Sequence, residues 1–461
     1  MQSLLAIAML TWRAAFRFRL FVVVAVLLLA AVLGLPLLLK DDGTVRGFTQ
    51  ILLTYTLSII TALLGLSTLW LACGTLARDI EDCQMQMVVV KPVRRWQIWL
   101  GKWLGIVSLN AALLALSSAS VFALLQWRAS HLPADQQRAL RNEVLVSRGS
   151  ARPASPLADI QAETEKRLRE RLAANPDAQA SVAEVRRQIF ETVKADHQIV
   201  PSRAYRWWRV DFGAAAKRLE GRPLHLRVKF NAAQRSASGT FDGVWQIGVP
   251  DTPRLWQSPP MSLAPDAFHE IELPPNLIGT DGVLTIVFLN LNPTALLFPV
   301  EDGIEVLYRQ GGFLVNYLRT VLVILCWMAL LASVGLAASS FLSFPVASLL
   351  SVSLLVLTFS SGTMALVVSE GTVLALDGPT KALGSSVIDA LAVPVFKALL
   401  SVIELAKDYS PIDAVSTGRS VSWGTVGSAF LRIVVLLGGC FALGGILLFS
   451  RRELATAQGN Q

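Results

Sequence analysis

The chain has 461 residues, 53% of them hydrophobic and only 16% charged, with a formal net charge of +8 at pH 7. Together with a mean hydropathy of +0.52, this balance argues against an ordinary soluble globular protein, and the apolar residues gather in blocks as they do in polytopic membrane proteins. The basic excess does not indicate nucleic acid, because many Lys and Arg residues flank apolar blocks, where they set topology, and no nucleic-acid motif accompanies them.

In chain order, residues 1–19 place Leu4, Leu5, Ala8, Met9, Trp12 and Phe16 at helical spacing, with Arg13, Arg17 and Arg19 on the later turns. This pattern predicts an interfacial helix lying on the membrane ahead of the first span. Residues 20–39 form the first apolar run long enough to cross, and no small-residue cleavage site accompanies them. They read as a signal anchor that stays in the protein. Further runs at 48–73, 103–127, 313–337, 346–368 and 426–449 bring the expected number of spans to six.

A charged connector, residues 77–102, separates spans two and three and carries Arg78, Asp79, Glu81, Asp82, Lys91, Arg94, Arg95 and Lys102. An ionised group at the centre of a bilayer costs roughly 2.5–3.5 kcal/mol even on the lenient insertion scale, so the connector must lie at a membrane surface. Arg13, Arg17 and Arg19, the basic residues of the connector, and Arg451 with Arg452 all fall on one side of a six-span layout. The short loop after span one has only Lys40 and Arg46. The positive-inside rule then makes both termini and the connector cytoplasmic, and residues 128–312 extracytoplasmic.

That insert is long enough to hold its own core. Its first part, 128–200, reads as helical, with helices at 157–174 and 178–194 separated by Asn175-Pro176-Asp177, which together suggest a hairpin. The charges Glu163, Glu165, Lys166, Arg167, Arg169, Glu170 and Arg171 read as its solvated face. From 201 to 312 the texture turns to β. Short alternating or β-branched runs at 205–212, 224–230, 239–249, 268–273, 283–291 and 304–308 lie between Gly, Pro, Asn and Asp turns. This spacing predicts an antiparallel β-sandwich or jelly roll. Trp207, Trp208, Trp245 and Trp256 either form an outer surface for a glycan or a protein partner, or fill the core of the sandwich. Beyond span five, residues 379–409 repeat apolar positions at helical spacing but are interrupted by charges and by Pro394. They read as helices at the outer interface, with a seventh span as the alternative.

The chemistry-bearing patterns are few. Cys73, Cys83, Cys326 and Cys440 include no CxxC pair, and His131, His197, His225 and His269 are scattered along the insert. No phosphate-cradling GxxxxGK[ST] loop, HExxH or GxSxG occurs. The expectation is a chain that is not an enzyme, with no catalytic, cofactor-binding or metal-ligating residues.

The connector, with Arg78-Asp79-Ile80-Glu81-Asp82, Lys91-Pro92-Val93-Arg94-Arg95 and Gly101-Lys102-Trp103-Leu104-Gly105, resembles that of permease subunits of the ABC-2 class of ABC transporters. Their cytoplasmic loop after span two ends in a similar KP(V)SR … GK pattern; Arg94 stands where the family often has serine. A second resemblance runs through Ser410-Pro411-Ile412-Asp413, then Gly418 to Trp423, then Phe449-Ser450-Arg451-Arg452-Glu453-Leu454. It is similar to ABC-2 permeases linked to copper-enzyme maturation and gliding motility. The departure is the insert, since ordinary members have a short outer loop between spans three and four.

The resemblance implies a permease subunit in a bacterial inner membrane, most simply an exporter. It implies a second permease subunit, as homo- or heterodimer, and two ABC ATPase subunits that carry ATP and Mg. Arg78, Asp79, Glu81, Asp82, Lys91, Pro92, Arg94 and Arg95 would then dock the ATPase, with Met85, Met87, Val88 and Val89 entering its groove. Two alternatives stand beside this reading: an ABC complex that transmits force to an extracytoplasmic partner without transport, and an ATPase-independent anchor displaying a carbohydrate-binding-like β domain.

Overall fold

A computed structural model of the chain describes residues 2–17, 20–38, 44–82, 85, 93–174, 182–232, 234, 236, 238–249, 252, 254–370, 387–407 and 411–452. The helices in chain order are α1 (Gln2–Arg17), α2 (Leu20–Leu38), α3 (Val45–Glu81), α4 (Arg95–Ser130), α5 (Ala134–Glu143), α6 (Leu157–Ala174), α7 (Val182–Asp196), α8 (Phe313–Ser339), α9 (Phe344–Phe359), α10 (Ser361–Glu370), α11 (Val387–Lys407) and α12 (Pro411–Ser416). The last is α13 (Trp423–Arg451), with a π-helical stretch at Phe430–Gly438. The chain divides into two compact units, residues 1–147 with 312–461, and residues 148–311.

In the helical unit, four helices are each long and apolar enough to cross a membrane: α3, α4, α8 and α13. The bent pair α1 and α2, at 69° to each other, would make a fifth. At 37 and 36 residues, α3 and α4 extend to about 55 Å, well beyond a hydrocarbon layer of about 30 Å. Residues 346–368, expected as one span, instead form α9 and α10, divided at Ser360; the 16 residues of α9 reach only about 24 Å. The core joins Val24, Leu28 and Val32 of α2 to Leu53, Leu57 and Leu64 of α3, Leu113 and Val121 of α4, and Tyr317 and Ile324 of α8. Leu140 and Val144, in and just after α5, share this core, so the unit boundary falls after Ser147 and not at Arg128.

The N-terminal helix has two working faces. Ile7, Thr11 and Ala15 are buried, while Leu5 and Met9 are exposed. Its seat on α4 is made by two glycines: a Cβ on Gly101 would lie 2.8 Å from Ile7 Cβ, and one on Gly105 would lie 2.7 Å from Thr11 Cβ. Trp12 Nε1 donates to Ser108 Oγ at 2.8 Å and fixes the register. In the 379–409 region, α11 packs Leu400 and Ile403 against Met364 of α10; positions 379–386 and 408–409 lie outside the described residues.

The other unit is built on antiparallel sheets. Its strands are β1 (Val146–Ala151), β2 (Ile199–Val200), β3 (Tyr205–Asp211), β4 (Leu224–Val228), β5 (Asn231–Ala232), β6 (Phe241–Gly248), β7 (Leu255–Gln257), β8 (Met261–Leu263), β9 (His269–Leu273), β10 (Val283–Asn290), β11 (Leu296–Leu297) and β12 (Ile304–Gly312). One sheet has the order β1-β12-β4-β9, a second β3-β10-β6-β7 with β8 on β6, and a third β2-β11-β5. Leu224, Leu226, Ile271 and Val306 of the first sheet share one apolar core with Val210, Trp245, Ile247, Leu284 and Ile286 of the second. β1 and β2 lie within the stretch 128–200, so the expectation of helix alone there is corrected. In β1 the run Val-Ser-Arg-Gly-Ser-Ala carries little alternation, and its pairing with β12 decides its state.

Across the first sheet runs a stripe of alternating charge. Glu305 of β12 is opposite Arg227 of β4, which is opposite Glu270 of β9. Arg148 of β1 grips Glu270 with both terminal nitrogens, at 3.0 and 3.3 Å, and Arg227 and Arg152 reach Glu305 at 3.6 and 3.2 Å. The helices α6 and α7 pack through Ile160, Leu168, Val185 and Ile189 and are laced by Arg167–Asp196 at 3.2 Å and Arg186–Glu165, while Arg167 also pairs with Glu163 within α6 at 2.9 Å. Residues 175–181, between them, lie outside the described residues.

Candidate functional site

The connector residues that the structure describes are extensions of α3 and α4. Arg78, Asp79 and Glu81 occupy the final turn of α3, Asp82 caps it, and Arg94 and Arg95 begin α4. Helix α4 starts by a backbone device: Arg94 N–H donates to Gln97 Oε1 at 3.1 Å, and Gln97 N–H to Arg94 O at 2.9 Å. Lys91, Pro92, Met87, Val88 and Val89 lie outside the described residues.

Most of the described charges fasten helix ends to one another. Lys102, whose side chain is 6% exposed, meets Asp79 Oδ2 at 2.5 Å and donates to Thr75 O at 2.7 Å, joining α4 to α3. Glu81 Oε1 accepts from Phe344 N–H at 2.9 Å, where α9 has unpaired backbone donors and a partial positive charge. The Arg78 guanidinium lies 4.3 Å from the centre of the Phe344 ring, a cation–π contact. Arg95 Nη1 donates to Phe449 O, Ser450 O and Arg452 O at 2.9, 2.9 and 2.8 Å, satisfying the orphan carbonyls that end α13. Arg452 Nη1 in turn donates to Ser340 O at 3.3 Å, just after α8. Thus the C-terminal ends of α3, α8 and α13 and the N-terminal ends of α4 and α9 meet in one charged cluster.

Met85 requires a correction. Expected as an anchor offered to another protein, it is 2% exposed and buried in its own chain, in a cluster with Ile7, Leu76, Ile98, Trp99 and Phe449. Asp82 and Arg94 are exposed and have no side-chain partner among the described residues. Of the six described residues expected to dock a partner, Arg78, Glu81, Asp82 and Arg94 are exposed, the first two while also engaged with Phe344. Arg95's bonds to the end of α13 and Glu81's to the start of α9 carry no sequence signal, because their partners are backbone atoms 354 and 263 residues away.

The four tryptophans do not share a surface. Trp245 is completely buried between Phe288 and Phe298, Trp208 packs on Phe298 at 5.2 Å, and Trp256 is half-buried against the same core. Only Trp207, 59% exposed, faces outward, two residues from Tyr205 at 71%. The reading of all four as an outer ligand surface is therefore corrected to Trp207 alone. Among the described residues, no group of three His, Cys, Asp or Glu side chains could hold a metal ion. No protein-family model, curated protein or solved structure matches the chain.

Proposed function

We propose that the chain is the membrane-spanning permease subunit of an ABC-2 type transporter, an exporter driven by ATPase subunits carried on other chains. In this reading six segments cross the bacterial inner membrane, α9 with α10 forming a broken fifth, and the sheet unit is an extracytoplasmic jelly roll. The observation that carries the reading is the charged cluster at one end of the helices. A push on the last turn of α3 or the first turn of α4 reaches α8, α9 and α13 through Asp79–Lys102, Glu81 and Arg95. Asp82 and Arg94 supply the exposed charges of opposite sign that would set the register of a docked ATPase.

The test is purification of the full chain from its native membrane, with ATP hydrolysis measured in the captured complex. Wild type should retain hydrolysis, and Asp82→Lys with Arg94→Glu should lose it while inserting normally. Undiminished hydrolysis captured with the double variant would sink the docking surface. A second reading, force transmission to an extracytoplasmic partner without transport, draws on the chain passing from β12 at Gly312 to α8 at Phe313 with no intervening residue. Transport by reconstituted vesicles separates the two.

A further inference from the structure

Helices α8, α9 and α13 leave between them a groove of about 360 Å³ with an almost wholly apolar lining. Phe341 lies at its α8 side, just past the helix end, and Leu350 and Leu354 on α9. The α13 wall is a stripe of Leu437, Cys440, Gly444 and Leu448, spaced three and four residues apart and so on one helix face. The next position on that stripe is Arg451, which is exposed and has no hydrogen-bond or ion partner among the described residues. Its neighbour Arg452 is already engaged with Ser340 O.

Two further observations define the occupant. A Cβ on Gly445 would come within 3.0 Å of Ala337 Cα and Trp99 Nε1, so that glycine is a helix contact; a Cβ on Gly444 would meet nothing within 4 Å. Gly444 therefore faces open space inside the groove. Arg432, also exposed, precedes Arg451 on the same helix by at most about 28 Å of rise, the π-helical stretch rising less per residue, against the roughly 30 Å of a hydrocarbon layer. The two arginines bracket that layer, which puts Arg451 at headgroup depth and the groove beside acyl chains.

We infer that this groove binds an anionic phospholipid, its acyl chain along Gly444 and Leu448 and its phosphate on the Arg451 guanidinium. The apolar walls fit a hydrocarbon tail, and Arg451, without an ion partner among the described residues, selects the charged headgroup over a zwitterionic one. The inference needs only the membrane setting and stands whether or not the chain couples to an ATPase.

The experiment is native mass spectrometry of the purified full chain titrated with phosphatidylglycerol or phosphatidylcholine. Wild type should retain phosphatidylglycerol in preference. Arg451→Gln, at an exposed position, should weaken phosphatidylglycerol binding about fivefold, the effect of one interfacial arginine, with phosphatidylcholine unchanged. Gly444→Phe, filling the open space, should abolish binding of both. Equal retention of the two lipids, or binding unaffected by either variant, overturns the inference. So would efficient Cys440–Cys440 cross-linking between copies on oxidation in the native membrane, since the exposed Cys440 would then face a second copy.

Discussion

At the charged end of the helical unit, Arg95 and Arg452 donate to backbone carbonyls and Glu81 accepts from a backbone N–H. In the sheet unit, Arg148 pairs with Glu270 and Arg227 with Glu305, side chain to side chain. The difference follows from what each element leaves unpaired. A helix end exposes several donors or acceptors and a partial charge, so a single ion of the right sign finds its partners there. A sheet pairs its backbone internally, so an ionic side chain on it must meet another side chain or water. Charge in a connector between helices is therefore first a structural resource, and only the remainder is available to a partner.

The largest effects should come from stranding a group inside either unit. Trp245→Ala removes a fully buried indole and should destabilise the sheet unit by about 3–5 kcal/mol, whereas Trp207→Ala should stay within about 0.5 kcal/mol. Hydrogen exchange of β6 and β10 in the full chain checks the pair, and equal effects would erase the distinction between inward and outward tryptophans. Asp79→Ala leaves the Lys102 ammonium buried without its carboxylate and should weaken the α3–α4 end by about 3–5 kcal/mol. Asp79→Leu with Lys102→Met should recover most of that, read as thermal unfolding in detergent.

Arg95→Ala should have an intermediate effect, loosening the end of α13 by about 1.5–3 kcal/mol, as for hydrogen bonds from a charged donor. Faster exchange should appear at residues 446–452 and not in the middle of α8. Among the charged groups, the smallest effect belongs to Lys194 and Glu301, 2.7 Å apart at the surface of the sheet unit. The hydrogen bond from Lys194 holds the Glu301 carboxyl below its ordinary value of 4.5, and Glu301 holds the ammonium above 10.5. Their stabilisation is complete between those two values. It is lost on one side as pH falls through the lowered carboxyl pKa, and on the other as pH rises through the raised ammonium pKa. With Glu301 56% exposed, solvent screening keeps the contribution below about 1 kcal/mol. Glu301→Gln should flatten this pH dependence in exchange rates of α7.

Much of the architecture was legible along the chain, because period-two alternation and unbroken apolar runs are local signals. The six strand runs named from 205 onward are all present, with ends differing by a few residues, and α6 spans the residues expected of it. What sequence could not decide was direction and partnership. In Tyr205-Arg206-Trp207-Trp208-Arg209-Val210 each face of the strand has an aromatic and an arginine, so alternation does not say which tryptophan points inward. The pairing with β10 does: Ile286 and Trp208 fall on the core side, Val287 and Trp207 on the other. The connector charges were found, but their division between fastening and display depends on atoms hundreds of residues away. The division at Ser360 falls in the run Ser360-Ser361-Gly362, a short turn signal that the apolar residues on either side outweigh in a span-length window.

The glycine seat of α1 has a consequence for the order of events during synthesis. Trp12 and its partner Ser108 are 96 residues apart, so α1 leaves the ribosome long before Gly101 and Gly105 exist. Its buried side, Ile7 and Ala15, lacks its seat on α4 throughout that interval. Closure of this contact is thus a late event, reached only after two further long helices have been made. Replacing either glycine with a larger residue should leave a chain whose first helix is synthesised and inserted on schedule, yet never docks.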